Sequence, residues 1–338
     1  MLSTVQLDKV LAHRHGDLTA TLQAGATLAS VNRALARHGQ WLPLDPPWAD
    51  RATIGGIVAA NDSGPRRHRY GAPRDLIIGV DFVRADGIVA KAGGIVVKNV
   101  AGYDLSRLLT GSFGGLAVIV SATFKLFPLP QASRTVVAEC AGLDAAGSLV
   151  ASLLASQLTP TAIELETPPA RVLVRFETID VAANEQAASV VALAELTRAR
   201  TTVVDGDQES VVWDEHGRRP WNGEGAVIKI AALPTEVIPT VKWIADAIRE
   251  TEYDIAGRAG VGVLLARIGG DVETQARVVM GLRARLTPGH GSAVVVRASD
   301  ELRSKVDVWG PIGDGLALMR AVKHQFDPNG ILISRGPA

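Results

Sequence analysis

Thr53-Ile54-Gly55-Gly56-Ile57-Val58-Ala59-Ala60-Asn61-Asp62-Ser63-Gly64-Pro65-Arg66-Arg67-His68-Arg69-Tyr70-Gly71 is the stretch whose reading decides the fold. Thr53 is a good N-cap, and the residues after it predict a short helix that begins without bulky side chains. Glycines at such a start leave backbone N–H groups open to an anion, and the helix dipole adds partial positive charge there. A phosphate or pyrophosphate fits that description. The competing reading is a tight helix–strand packing contact that needs Gly. Arg66, Arg67, His68 and Arg69 follow, able to balance phosphate or other anionic charge, or to form a solvated basic loop, the reading favoured for Arg66 and Arg67.

Outward from this stretch, residues 18–24 alternate as a strand, and Thr27 caps a helix with Leu28, Val31 and Leu35 on one face. Gly39 ends it. The prolines of residues 41–47 require an extended loop. Residues 75–83 read as a strand, 85–87 as a turn, 88–91 as its hairpin partner and 116–126 as a further strand. Beyond Pro130 glycine thins and strands alternate with helices. Strands are expected at 135–139, 163–166, 172–177, 202–204, 227–231, 262–268 and 293–297. Helices are expected at 145–156, 182–198, 235–249, 272–285 and 316–326. This pattern gives an α+β class with helices on one face of the sheet. The expected domains are 1–130, 131–305 and a returning C-terminal segment 306–338.

The 338 residues carry 35 basic and 35 acidic side chains, and no Lys/Arg run marks a nucleic-acid surface. One cysteine, Cys140, excludes an internal disulfide and any Cys-based iron–sulfur or zinc site within this chain. No apolar run reaches the roughly 18 residues of a membrane span, and the first ten residues lack a signal peptide's apolar core. A cytoplasmic protein is expected, at most peripheral to the inner membrane through partners.

Two further pieces complete a constellation: Gly93-Gly94-Ile95-Val96-Val97-Lys98-Asn99-Val100-Ala101-Gly102-Tyr103-Asp104, and Gly111-Ser112-Phe113-Gly114-Gly115-Leu116-Ala117-Val118-Ile119. In this order, with Thr53–Gly71 ahead of them, they closely resemble the PCMH-type FAD-binding domain of the vanillyl-alcohol-oxidase superfamily of FAD-linked oxidases. Ser63-Gly64-Pro65-Arg66-Arg67 and the Lys98–Asp104 run look like the glycolate oxidase FAD-binding subunits. Phe326-Asp327-Pro328-Asn329-Gly330-Ile331-Leu332 is similar to the family's closing motif, and Val308-Trp309-Gly310-Pro311 resembles that subunit type too.

The resemblance implies a PCMH-type FAD domain with a smaller α+β cap domain, non-covalent FAD, and oxidation of glycolate or a related 2-hydroxy acid. It implies partners: a larger flavoprotein subunit and an iron–sulfur subunit that supply catalysis and electron exit. It implies cofactor contacts at Pro47, Thr53, Ile54, Gly55, Gly56, Ala59, Ser63, Gly64, Arg69 and Gly71, with Val118 and Ile119 near the adenine; Lys98 and Asn99 are weaker candidates. Family members begin with a further βαβ-like subdomain carrying a phosphate-binding loop, which this chain is expected to lack, so that 1–130 is read as a partial, N-terminally truncated FAD domain. Gly115 and Ala117 stand where the pattern reads Thr and Gly, which places the Ala117 methyl near the expected adenine, and Ile333-Ser334-Arg335-Gly336 replaces the usual Asn-Pro-Gly-Arg. A non-catalytic assembly subunit without FAD and a stand-alone alcohol or sugar oxidase are the alternatives.

No catalytic residue emerges. None of the seven histidines sits in a motif. His290 reads as a loop residue, His324 as surface, and His216 as part of a solvated loop. No metal-ligand spacing is present, and no Gly-x-Gly-x-x-Gly fingerprint of an NAD enzyme.

Overall fold

The computed structural model describes residues 3–95, 102–248, 251–286, 291–333 and 336. Lys98, Asn99 and His290 lie outside these. The chain divides into two compact units, Met1–Leu129 with Ile312–Ala338, and Pro130–Pro311.

The first unit holds β1 (Val10–Arg14), β2 (Thr19–Gln23), α1 (Leu28–Leu35), β3 (Gln40–Trp41), α2 (Ile54–Ala60), α3 (Arg67–Tyr70), α4 (Pro73–Leu76), β4 (Ile77–Val83), β5 (Val89–Gly93), α5 (Leu105–Leu109), β6 (Val118–Lys125) and β7 (Phe127–Pro128). Its main sheet is antiparallel in the order β1-β2-β6-β4-β5. Leu22, Phe82 and Phe124 from the sheet meet Val31 and Leu35 of α1 and Ile54 and Val58 of α2 in one core. Thr27 caps α1 through the Ser30 N–H at 3.2 Å, as expected. The loop after β3 is pinned by Asn32, whose side chain both donates to and accepts from the Leu42 backbone. The strand expected from residue 75 starts at Ile77 instead. Asp75 turns back to accept the Ala72 N–H at 2.8 Å, and that bond closes the one-turn helix α4.

The second unit holds β8 (Ala132–Glu139), α6 (Leu143–Ala155), β9 (Ala162–Thr167), β10 (Arg171–Thr178), α7 (Asp180–Leu196), β11 (Arg200–Val204), α8 (Gly206–Arg218), β12 (Ala226–Ala232), α9 (Val237–Ala247), β13 (Tyr253–Arg258), β14 (Val263–Ile268), α10 (Val272–Arg285), β15 (Gly291–Arg297) and α11 (Asp300–Lys305). One antiparallel sheet of eight strands runs β11-β8-β10-β9-β13-β14-β12-β15. Alternation gives it two faces. Ile163, Leu165, Val172, Val174, Ile228 and Leu264 pack with α6, α7, α9 and α10 into the larger core. The other face carries Glu164, Glu166, Arg175 and Arg258, all buried. The sequence pattern had all helices on one face; α8, not foreseen, lies on the charged face through Glu209 and His216. The last helix, α12 (Gly315–Phe326), belongs to the first unit.

Candidate functional site

Thr53 caps α2, its hydroxyl accepting the Gly56 N–H at 3.3 Å. The other early N–H groups of this helix are also engaged. Ile54 donates to the Ala26 carbonyl at 2.9 Å, Gly55 to Ala24 at 2.7 Å, and Ile57 to the Thr53 carbonyl at 2.9 Å. The expected anion cradle of open N–H groups is therefore not what the glycines provide here. A helix start normally leaves its first donors over; here the bend after β2 takes those of Ile54 and Gly55, and the cap takes that of Gly56. Gly55 serves close packing: a Cβ there would sit 2.8 Å from the Ala24 Cβ. Gly56 is exposed, so its α-carbon offers backbone that a ligand can approach.

Residues 63–66 are shaped by Asp45, which sequence reading passed over. Its carboxylate accepts the Gly64 N–H at 3.1 Å and the Arg66 N–H at 2.9 Å. A side chain at Gly64 would fall on the Asp45 carbonyl oxygen. Only the position of Asp45 among prolines hinted at this role. Ser63 is buried and Arg69 exposed; Pro47 and Ala59 are half-buried. Gly71 adopts φ +84° directly over Asp75. Arg66 is not a solvated loop residue: its guanidinium carbon lies 4.5 Å from the centroid of the Trp41 ring, which meets Tyr70 edge-on. Cations over an indole face are attracted by its quadrupole.

The C-terminal end of α2 receives the loop after α5. Gly111 donates to the Val58 carbonyl and Phe113 to that of Ala59, both at 2.9 Å. Asn61 closes the helix in the left-handed region, φ 49°. Asn61 Oδ1, Ser106 Oγ and Ser112 Oγ are buried here without a hydrogen-bond partner among the described residues. Buried polar atoms are nearly always paired, so this ledge fits a polar ligand. Lys323 of α12 reaches the same loop, donating to the Gly115 carbonyl at 2.8 Å and to Asp327 at 2.6 Å. Lys323 and the Ile331 and Leu332 N–H groups hold the Asp327 carboxyl well below its ordinary value. Val118 and Ile119 open β6 opposite Val83 and Phe82. Ala117 lies inside the core at 1% exposure, so its methyl packs against protein and not on a ligand surface.

The charged face of the second unit corrects the reading of His216 as a solvated residue. His216 is 5% exposed. Its Nε2 lies 2.9 Å from Glu164 Oε2 and its Nδ1 2.8 Å from Glu166 Oε1. Burial alone would lower its pKa, but the two glutamates outweigh it and push it up to about 9. Burial likewise opposes ionisation of Glu166, yet His216, Arg171 and Arg219 hold its carboxyl below the ordinary value. Arg219 also pairs with Asp254, which burial pushes up. Three cations thus meet three carboxylates. The residues span 90 positions of sequence; the one local signal was a pair of carboxylates two apart in an otherwise apolar strand. Both imidazole nitrogens are spoken for, so His216 is unsuited to act as a base. Among the described residues no group of His, Cys, Asp and Glu could hold a metal ion, and no helix is long and apolar enough to cross a membrane.

Comparison with known proteins matches the first unit to a flavin-binding domain. Residues 1–104 match the FAD binding domain family, and residues 312–335 match the C-terminal domain of FAD linked oxidases. The glycolate oxidase subunit GlcD of Bacillus subtilis is 27% identical over 96% of this chain and 76% of its own length. The D-2-hydroxyglutarate dehydrogenase of Xanthomonas citri is 27% identical over 98% of this chain and 78% of its own. The glycolate oxidase subunit GlcE of Escherichia coli is 43% identical over 35% of this chain and 34% of its length. In structure, an Acremonium strictum glucooligosaccharide oxidase matches all of this chain and 81% of its own at TM-score 0.68 and 16% identity, a likeness of fold. The first unit thus carries an FAD binding domain like that of FAD-linked oxidoreductases, its flavin is FAD, and the fold is that of the PCMH-type oxidases.

Proposed function

We propose that this chain oxidises glycolate or a closely related 2-hydroxy acid as one subunit of a multi-subunit glycolate oxidase. The observation that carries the reading is convergence: relatives matched over nearly the whole chain bear the names glycolate oxidase subunit and D-2-hydroxyglutarate dehydrogenase, and both name 2-hydroxy acids. Bound FAD would supply the hydride acceptor. The chain's own part is to hold it. The exposed backbone at Gly56, the turn at residues 63–66 fixed by Asp45, Gly71, and the unpartnered Asn61 and Ser112 oxygens suit a ligand rich in phosphate and hydroxyl groups. Pro47, Thr53, Ile54, Gly55, Ala59, Ser63, Gly64, Arg69, Val118 and Ile119 complete the proposed contacts.

A larger flavoprotein subunit and an iron–sulfur subunit are the proposed partners, with the complex in the cytoplasm or peripheral to the inner membrane. The test is a visible spectrum of the purified chain with added FAD, followed by anaerobic addition of glycolate, D-lactate or D-2-hydroxyglutarate. Uptake of flavin and its bleaching by one of these acids is the expected result. Flavin uptake without bleaching by any of them, alone or with the partner subunits added, would remove the substrate assignment.

A further inference from the structure

Helix α8 covers part of the charged sheet face without an apolar anchor. Its buried side chains are Glu209 and His216, and none of its residues joins the hydrophobic core of this unit. Surface helices are ordinarily held by an apolar stripe; this one is held by Glu209, by His216 and by the Trp213 ring, which lies 3.9 Å from the Arg175 guanidinium carbon, and the first of these has an evident substitute in solution.

Glu209 shows what that substitute is. A single carboxylate oxygen, Oε1, accepts from Thr135 Oγ1 at 2.5 Å and from Ser133 Oγ at 2.7 Å, and Arg175 Nε lies 3.3 Å away. The Trp213 indole N–H donates to Thr135 Oγ1 at 2.8 Å, which commits that hydroxyl's proton to the carboxylate. Thr135 and Arg175 are direct cross-strand partners on β8 and β10, at 0% and 7% exposure. The donors are therefore fixed by the sheet, while the acceptor arrives on a separate helix. Two hydroxyls and a guanidinium converging on one oxygen is the chemistry that selects a carboxylate over a neutral group.

We propose that Ser133, Thr135 and Arg175 form a receptor for a small free carboxylate, and that Glu209 fills it as a tethered occupant, so that α8 lifts from the sheet when a free carboxylate takes its place. The inference goes beyond the oxidation proposed above and does not depend on it, since it concerns binding and needs no flavin. Tethering gives Glu209 an effective concentration in the millimolar range or above, so the unaltered chain should bind free carboxylate weakly.

The experiment compares thermal unfolding of the full chain and of Glu209→Ala in acetate, in acetamide and in chloride at matched ionic strength. A ligand of the folded state raises the midpoint by mass action. Acetate should stabilise Glu209→Ala in a saturable way, with affinity about tenfold or more tighter than for the unaltered chain, and acetamide should not. Should Glu209→Ala fail to fold, the isosteric Glu209→Gln keeps the volume and must show the same preference for acetate. No acetate-specific response in either variant overturns the receptor. Amide exchange across residues 206–218 reads the second half: acetate should speed exchange there in Glu209→Gln. Acetate binding with exchange in α8 unchanged would overturn the displacement of the helix.

Discussion

The two faces of the eight-stranded sheet are built on opposite principles. On one, Ile163 and Leu165 of β9 enter a core shared with four helices; on the other, the intervening Glu164 and Glu166 hold an imidazolium. The apolar face tolerates change because contacts there are many and individually weak. The charged face does not, because each ion there is compensated by named partners in low dielectric. The difference teaches where this protein is brittle. Glu166→Ala should be the most damaging change, leaving His216, Arg171 and Arg219 short of an anion. Removing one partner from a buried pair costs about 3–5 kcal/mol, against about 0.5–1.5 kcal/mol for Ile163→Val three residues away on the same strand. Urea unfolding of both variants checks the contrast, and equal losses would break it.

The charged face also titrates. His216 has a folded-state pKa near 9 against an ordinary 6.5. Below about 6.5 both folded and unfolded states carry the proton, and its contribution to stability is fully present. Between 6.5 and 9 the unfolded chain has lost the proton that the folded chain keeps, so the contribution falls, and above 9 it is gone. Thermal midpoints of the unaltered chain should drop across that window. His216→Gln should start lower and lose the slope. A variant with the same slope would assign the titration to another group.

Much of the first unit was legible because its signals are local. Thr27 and Thr53 cap the helices that they announce, and the alternation of residues 18–24 becomes β2. What was not legible needed partners distant in sequence. Helix α8 shows no apolar periodicity because it buries a glutamate and a histidine. Strand β13 hides its pattern behind Asp254, Gly257 and Arg258. Asp45 looks idle until residues 63–66 fold over it. The same holds for the glycines. Sequence marks them as places where a side chain is unwelcome, and the structure decides whether a ligand or the chain itself is the reason. At Gly64 it is the chain: Gly64→Ala would press against Asp45 and should cost about 1–3 kcal/mol as overpacking. FAD affinity should fall with it, because the turn at residues 63–66 is displaced. A stable Gly64→Ala protein that binds FAD normally would show that this turn does not touch the cofactor.

The smallest effect is the most discriminating for α2. Thr53→Ala removes the cap on Gly56, worth about 1 kcal/mol in helix stability, and at the same time leaves the Gly56 N–H without its internal acceptor. If Thr53 acts only as a cap, stability falls by that amount, FAD affinity changes little, and Thr53→Ser restores both. If the Thr53 side chain also meets the flavin, affinity falls by more than the lost stability explains, and Ser restores it only in part because the methyl is missing. A rise in affinity would carry a third meaning: that the freed N–H is a better partner for the cofactor than the hydroxyl, and that the cap and the ligand compete for one donor. Flavin titration beside urea unfolding on these two variants separates the three, because each predicts a different sign or size for the binding change at the same loss of stability.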